Sequence, residues 1–205
     1  MEQATTIHFV RHGEAENPKG IYYGRLPGFP LSERGMRQAR AAGEVLRDKP
    51  LVAIYSSMLE RTRQTAAEIA QWHPHIAVVI SDLLIEVHTP YEGRSFAELR
   101  AVGGDAYANC APPYEQPAEV LARMRRFADE ICLRHQGAQV AAVTHGDPIA
   151  FLVLWARNRP LISAERTRLY QGCLSRGSIT TFSFATGNPD ARPPVHYLSP
   201  PIDPV

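Results

Sequence analysis

Two histidines, His12 and His145, are the first residues of this sequence that suggest chemistry. Each is followed by a glycine, and each comes shortly after an apolar run, at 5–10 and at 140–144. Runs of this length and composition predict buried strands, so both histidines are expected near strand ends. Taken singly, a histidine in such a place is more often a structural hydrogen-bonding group than a reactive one.

A carboxylate and two arginines occupy comparable positions. Arg11 stands beside His12, Glu86 follows a third apolar run, and Arg61 lies about one turn into the helix predicted after the run at 51–55. Each of these charges alone could be an ordinary surface group. Their coincidence with the histidines indicates a site that could bind one small anion.

The elements that must position these residues alternate along the chain. Helical spacing predicts helices after Ser32, after Ser57 and around 120–131, and a further helix with Asp147 as N-cap and Pro148 at its first position. Strands are predicted at 5–10, 51–55, 76–80 and 140–144, and a last strand is predicted at 178–184. This alternation predicts an α/β fold, a three-layer α/β/α sandwich with a mostly parallel central sheet. Ligands of such sheets bind at the C-terminal ends of the strands.

Two segments depart from this alternation. The length of 205 residues fits a single domain, 1–205. Within it, 87–117 has little periodicity, which predicts an irregular, lid-like insertion with one short helix at 96–102. The proline-rich tail at 187–205 is expected to lie extended over the surface or to be partly disordered.

The overall composition excludes partners that are held by bulk charge. With 22 basic and 21 acidic residues the net charge is +1, so no nucleic acid or membrane partner is expected and any anion must be attracted locally. Three widely separated cysteines argue against a disulfide framework and suit a cytoplasmic protein. No apolar run approaches the roughly 18 residues of a membrane span.

Several short motifs occur in a fixed order along nearly the whole chain. They are Arg11-His12-Gly13-Glu14, Pro30-Leu31-Ser32-Glu33-Arg34-Gly35, SSMLERTRQTA from Ser56 to Ala66, Leu84-Ile85-Glu86 and Val143-Thr144-His145-Gly146. In this combination the chain resembles the histidine phosphatase superfamily, the phosphoglycerate mutase-like proteins.

This resemblance implies an enzyme, and it assigns a role to each of these residues. The activity implied is a phosphatase that acts on a small phosphorylated metabolite without metal or cofactor, with His12 as the nucleophile and Glu86 as the proton donor. The residues implied to complete the phosphate pocket are Arg11, Arg61, His145, Gly146, Asn17, Tyr23 and Gly24.

The chemistry of phosphoryl transfer explains these residue types. Planar, permanently charged guanidiniums neutralise the equatorial oxygens, and a protonated His145 would assist them. An imidazole attacks phosphorus only when the attacking nitrogen is unprotonated, so His12 must be held as one tautomer, for which a backbone carbonyl is the expected partner. Glu86 would protonate the leaving oxygen and then take a proton from water, which favours a pKa raised toward neutrality.

The first loop departs from the family pattern. Many members have an asparagine six positions after the nucleophile, where this chain has Pro18, and Asn17 is the nearest candidate for that role. Tyr23 and Gly24 stand where the family often has Gln-Gly, and Arg25 could be a further anion contact or an exposed side chain.

Three functions remain open at this point. A phosphomonoesterase is preferred to a phosphomutase, because the basic segments with which cofactor-dependent phosphoglycerate mutases hold their substrate are not evident at 87–117. A non-catalytic phospho-ligand binding protein would be expected to have lost His12, Glu86 or an arginine. His73 and His75 flank a proline, but two ligands are too few for a metal, and a surface loop is expected there. The oligomeric state is open, and a homodimer is possible.

Overall fold

One sheet carries the strand ends at which the reactive residues were expected. The computed structural model describes residues 4–101, 103–108, 110–185 and 191–201. The strands of this part of the chain are β1 (Thr5–Arg11), β2 (Leu51–Ser56), β3 (Val78–Ile80), β4 (Gln139–Thr144), β5 (Ile179–Phe184) and β6 (Val195–Leu198). Its α-helices are α1 (Glu33–Leu46), α2 (Glu60–Ala70), α3 (Phe96–Ala101), α4 (Pro117–Arg134), α5 (Gly146–Ala156) and α6 (Ser163–Gly172).

The strands form a six-stranded sheet in the order β3-β2-β4-β1-β5-β6. The pairs among β1 to β4 are parallel, whereas β5 and β6 add an antiparallel edge. The mixed α/β fold and its mostly parallel sheet are thus as predicted.

Side chains of the central strands alternate between two apolar cores. In β4, Val140 and Ala142 face the core that contains the buried residues of α4 and α5, whereas Ala141 and Val143 face the core of α1 and α2. A strand covered on both faces is apolar at every position. This burial explains why β4 has a continuous apolar run, and it gives the three-layer arrangement that the alternation predicted.

The helix starts agree with the sequence in part. Ser32 is the N-cap of α1, as predicted, and its hydroxyl accepts a hydrogen bond from the Gly35 N–H at 3.0 Å. The prediction for α5 was wrong by two residues: His145 is the N-cap, so Asp147 and Pro148 are its second and third residues. The reason is that the Asp147 carboxylate bonds to side chains of other segments instead of capping its own helix.

Arg61 lies closer to the start of its helix than predicted. The N-cap of α2 is Leu59, which provides no side-chain cap, so Arg61 is the second residue of the helix and not a turn inside it. The expected cap, Ser57, lies two residues further back, and its hydroxyl oxygen lies 2.9 Å from His145 Nε2.

The insertion packs against the body of the protein. It contains the predicted short helix as α3, of which the expected last residue, Val102, lies outside the described residues. Leu99, Ala106 and Tyr107 are buried in the core shared with α4 and α5. The insertion therefore forms a fixed wall of the molecule in this structure.

Part of the tail is extended, as expected, but the strand it forms, β6 against β5, was not predicted because it is too short to give a periodic signal between prolines; residues 187–190 and 202–205 lie outside the described part. One further expectation was wrong. His73 does not lie on the surface: it is 4% exposed, and its Nε2 lies 3.1 Å from the carbonyl oxygen of Leu46. Among the described residues, no helix is long and apolar enough to cross a bilayer.

Candidate active site

The pairing of β1 with β4 brings the two histidines together. Arg11 and Thr144 are partners in this parallel ladder, and the next N–H, that of His12, donates to the Thr144 carbonyl at 3.1 Å. The rings of His12 and His145 lie 5.1 Å apart between centroids, and both side chains are buried. Two residues 133 positions apart in sequence thus share one pocket because their strands are neighbours.

His12 is held in a single tautomer. Its Nδ1 lies 2.6 Å from the carbonyl oxygen of Gly13, which can only accept, so Nδ1 carries the proton and Nε2 keeps its lone pair. The Arg61 Nε donates to that Nε2 at 3.3 Å. Burial, reinforced by the positive charge of Arg61, holds the pKa of His12 well below its usual value. The imidazole is therefore neutral, with its free nitrogen in the pocket, as a nucleophile requires.

Arg61 links the components of the pocket. Only 1% of its surface is exposed, and its second terminal nitrogen donates to the Gly24 carbonyl at 2.7 Å and to His145 Nδ1 at 3.3 Å. The guanidinium also lies over the ring of Tyr23, 4.7 Å from its centroid. The first loop and two strand ends are thus fixed around one buried positive charge.

His145 differs from expectation in its charge. Burial and the nearby Arg61 hold its pKa well below the usual value, which favours the neutral imidazole over the expected protonated form. Because Nδ1 accepts from Arg61, the proton lies on Nε2, which donates to the hydroxyl of Ser57 at 2.9 Å. A phosphate dianion beside this ring would raise its pKa.

Glu86 reaches the pocket from the end of β3. A 3-10 turn, Asp82–Leu84, follows that strand, and the Thr144 hydroxyl fixes the turn by donating to the Leu84 carbonyl at 2.6 Å. The Glu86 carboxylate lies 3.7 Å from His145 Nδ1. Burial, reinforced by the negative charge of Asp147, raises the pKa of Glu86 to about 7. The carboxyl can therefore give and take a proton near neutral pH, as expected of a general acid.

Arg11 completes the charged lining. One of its terminal nitrogens donates to the Leu174 carbonyl, and the guanidinium carbon lies 4.8 Å from the ring centroid of Tyr170. Its Nε is buried and finds no partner among the described residues. A buried donor without a partner costs free energy, so it is suited to an anion that supplies the acceptor.

Arg11, His12 and Glu86 line a cavity of about 220 Å³, and Arg61 and His145 adjoin it through the bonds of Arg61 to both histidines. Its lining consists of Arg11, His12, Tyr22, Tyr23, Gly24, Glu86, Phe96, Asp147, Arg166, Tyr170 and Arg176. A larger hollow of about 920 Å³ runs beside α2, but Arg61 is the one residue of the reactive set that lines it. The smaller cavity is therefore the candidate site.

The donor set fits an anion better than a cation. Ligand atoms of His12, Glu86 and His145 lie within 4.8 Å of one another, a spacing that a metal could use. The Arg61 guanidinium, however, occupies the space between the two imidazoles and donates to a nitrogen of each. A cation there would meet a fixed positive charge, whereas a phosphate would be attracted by it.

Comparison with known proteins agrees with this geometry. The family described as the histidine phosphatase superfamily, branch 1, matches residues 7–189. The chain belongs to this superfamily.

Relatives within the superfamily differ in substrate. The chain is 37% identical over 175 residues to an uncharacterised protein of Mycobacterium tuberculosis, covering 82% of this chain and 86% of that one. It is 35% identical over 150 residues to phosphoserine phosphatase 1 of Hydrogenobacter thermophilus, covering 68% and 70% of the two chains. The solved structure of a mycobacterial glucosyl-3-phosphoglycerate phosphatase superposes with a TM-score of 0.78 at 27% identity, covering 96% of this chain and 99% of the other. Both of these named proteins are phosphatases.

The glycines of the two histidine motifs serve packing. A Cβ on Gly13 would lie 2.3 Å from the Gly35 carbonyl oxygen, and a Cβ on Gly146 would lie 2.1 Å from the Tyr170 hydroxyl. Neither glycine is required by a positive φ. Gly146 was expected to contact phosphate. In this structure the absence of a side chain at Gly146 leaves room for the Tyr170 ring, which packs against Arg11.

The first loop positions its candidates unequally. The side-chain amide of Asn17 donates to the Ile21 carbonyl at 2.8 Å and accepts from the Ile21 N–H at 3.2 Å. Asn17 is not part of the cavity lining. Tyr23 and Gly24 do line the cavity. Asn17 was expected to contact phosphate, but in this structure its polar atoms are bonded to its own loop, which they shape.

Arg25 is neither an anion contact nor a free surface residue. Its Nε donates to the Glu86 carbonyl at 2.7 Å, and its terminal nitrogen forms an ion pair with Glu115 at 2.7 Å. Glu115 is bonded in turn to Arg123 of α4 at 2.8 Å. This network supports the backbone of Glu86 from outside the pocket.

Sequence reasoning did not name six residues of the cavity as site residues: Tyr22, Phe96, Asp147, Arg166, Tyr170 and Arg176. Three of them lie between 157 and 177, where the apolar period is weak and no family motif was recognised. Arg176 donates to the Tyr23 hydroxyl at 2.7 Å. The arginines on α6 and just after it were the available signal, but arginines on an amphipathic surface look the same in sequence.

Proposed function

We propose that the protein is a metal-independent phosphomonoesterase that hydrolyses small phosphorylated metabolites through a phosphohistidine on His12. The observation that carries this proposal is the state of His12: its Nδ1 donates to the Gly13 carbonyl, so the unprotonated Nε2 is directed at the Arg61 guanidinium. The nitrogen that would attack phosphorus is thus in direct contact with the cation that would bind the phosphate.

In the first step the His12 Nε2 attacks phosphorus, and a P–N bond forms as the P–O bond to the leaving group breaks. Arg11 and Arg61 bind the equatorial oxygens, where charge must be stabilised, and His145 joins them once the phosphate has raised its pKa and Nδ1 is protonated. Glu86, whose pKa of about 7 leaves much of it protonated at neutral pH, transfers its proton to the leaving oxygen.

In the second step the same groups act in reverse. The ionised Glu86 takes a proton from a water molecule, whose oxygen attacks phosphorus as the P–N bond breaks. Inorganic phosphate leaves, His12 regains its lone pair, and Glu86 is protonated again. The acid and base roles alternate within each turnover, for which a pKa near the working pH is best suited.

The size of the cavity supports a small substrate. About 220 Å³ is below the roughly 300–1,000 Å³ of sites for drug-sized ligands. Three guanidiniums, those of Arg11, Arg166 and Arg176, contribute to its lining, and the Arg166 charge is paired with Asp147. This supports a compact phosphorylated metabolite over a bulky or apolar ester.

The test is phosphate release from a panel that includes p-nitrophenyl phosphate, phosphoserine and 3-phosphoglycerate, with and without EDTA. We expect hydrolysis that EDTA leaves unchanged and that His12→Ala abolishes, while the exposed His75→Ala keeps the wild-type rate. Isomerisation that is primed by a bisphosphate and outruns hydrolysis would instead indicate a mutase. Phosphate binding without turnover of any ester would indicate a binding protein.

A further inference from the structure

A buried carboxylate beside the site is not used by the proposed reaction. Asp147, the second residue of α5, is 4% exposed. It accepts hydrogen bonds from the hydroxyls of Tyr107 and Tyr170, each at 2.5 Å, and from the guanidinium of Arg166 at 2.8 Å. Three donors on one carboxylate form a strong, directional cluster.

The donors come from two separate segments. Tyr107 belongs to the insertion, whereas Arg166 and Tyr170 lie one turn apart on α6. Arg166 also donates to the Gly104 carbonyl of the insertion at 3.2 Å. The carboxylate of Asp147 therefore joins the insertion and α6 to the helix that begins at His145.

This cluster reaches the phosphate pocket through Tyr170. The Tyr170 ring lies 4.8 Å from the Arg11 guanidinium carbon, at a place that is open because Gly146 has no side chain. Arg11 otherwise bonds to the Leu174 carbonyl, just beyond the end of α6. The surroundings of Arg11 are thus set by α6, and the position of the Tyr170 ring is set by Asp147.

We propose that Asp147 is a positioning residue that fixes the ring of Tyr170 and through it orients Arg11 toward the bound phosphate. The carboxylate does not touch the reacting atoms. This inference rests on the proposed function only for the identity of the anion.

Electrostatics adds a second effect, on Glu86. Asp147 and Glu86 line the same cavity, and the negative charge of Asp147 contributes, after burial, to the raised pKa of Glu86. Other groups face these two carboxylates: Arg166, Tyr170 and Tyr107 around Asp147, Tyr22 from the first loop, and Arg61, Arg123 and His145 around Glu86. Loss of the Asp147 charge should therefore lower the pKa of Glu86.

The two effects have opposite consequences for phosphate binding, so the inference can be tested. Removal of a negative charge from the pocket would by itself tighten anion binding. Loss of the Arg11 orientation would weaken it. We expect the second effect to be larger, because the hydrogen bonds of a guanidinium to an anion weaken steeply when its geometry is lost.

The experiment compares Asp147→Asn with Glu130→Gln, a matched carboxylate-to-amide change on the exposed face of α4. Calorimetric titration with inorganic phosphate should give about tenfold weaker binding for Asp147→Asn and unchanged binding for Glu130→Gln. The basic limb of the kcat/KM profile for p-nitrophenyl phosphate should move to lower pH in Asp147→Asn alone. A folded Asp147→Asn protein with equal or tighter phosphate binding would overturn the proposal.

Two variants of Tyr170 give the answer if Asp147→Asn does not fold. Tyr170→Phe keeps the ring and loses the hydroxyl bond, whereas Tyr170→Leu loses the ring as well. We expect phosphate binding to weaken in the order wild type, Tyr170→Phe, Tyr170→Leu. Wild-type binding in both variants would refute the role of the ring.

The calorimetric readout separates this inference from the proposed function. A wild-type protein that binds phosphate but hydrolyses no ester would contradict the proposed function, while the order of phosphate affinities would still decide the role of Asp147. A wild-type protein that binds no phosphate at all would overturn both.

Discussion

The Arg61 Nε donates to the His12 Nε2 across 3.3 Å, between two side chains that are almost wholly buried. A cation on the attacking nitrogen keeps that nitrogen unprotonated, since it lowers the pKa of the imidazole. A substrate phosphate would take over the donors of Arg61 and so release the lone pair at the moment when phosphorus arrives. The free pocket is thereby prepared for an anion.

Arg61→Lys should reduce kcat/KM for p-nitrophenyl phosphate by about a hundredfold or more. Lysine keeps the charge but cannot reach His12, His145 and Gly24 at once, as the guanidinium fork does. The matched control is Arg63→Lys on the exposed side of the same helix. If Arg61→Lys retained the activity of that control, the fork would have no part in binding phosphate.

The pH profile of kcat/KM should have its basic limb near pH 7. Glu86 must be protonated to assist the leaving group, and its pKa is raised to about 7, so the rate falls as pH rises through that value. The acid limb should lie well below pH 6.5, because the pKa of His12 is depressed. Steady-state rates, corrected for ionisation of the substrate, would test this. A basic limb that persists unchanged in Glu86→Gln would assign it to another group.

The stability of Glu86→Gln relative to wild type should depend on pH. The pKa of Glu86 is about 7 in the folded protein against 4.5 ordinarily, so its favourable contribution is complete below pH 4.5 and is lost as pH rises through 7. The glutamine side chain of the variant does not ionise, so its contribution to stability does not change over this pH range. Urea unfolding should show the variant gaining about 2 kcal/mol on wild type between pH 5 and pH 8. For the exposed control Glu130→Gln, the difference from wild type in free energy of unfolding should not change with pH. If that difference were also independent of pH for Glu86→Gln, the raised pKa of Glu86 would be contradicted.

Arg176→Gln should raise KM with a smaller effect on kcat. Arg176 lines the cavity and donates to the Tyr23 hydroxyl, but in the described part of the chain no hydrogen bond joins it to His12 or Glu86. Its charge should therefore attract substrate and transition state alike, and its loss should raise KM by about tenfold. The exposed Arg168→Gln of α6 provides the control. An equal loss of kcat with unchanged KM would place Arg176 in the chemical step instead.

The central strands and the reactive pair could be predicted because their signal is local. A strand buried on both faces is a continuous apolar run, and the residue after it must lie at the sheet edge, so His12 and His145 could be placed from sequence alone. The tautomer of His12 could be anticipated too, since only a hydrogen bond at Nδ1 leaves Nε2 free.

The other wall of the pocket could not be predicted, because it depends on contacts distant in sequence. Asp147 gives the local signal of a helix cap, yet its carboxylate is used by Tyr107 and by α6, 40 and 19–23 residues away. Asn17 gives the signal of a phosphate contact, yet it bonds to its own loop. Polar side chains show their type in sequence, whereas their partners are decided by packing.

The most direct test of the central claim is to trap the phosphorylated enzyme. Wild-type protein is mixed with an ester labelled at phosphorus, quenched within one turnover in alkali, which preserves phosphohistidine, and mapped by mass spectrometry. We predict label on His12, approaching one phosphoryl group per chain and released by acid, with none in His12→Ala. Turnover without label on His12, or label retained by His12→Ala, would contradict the account.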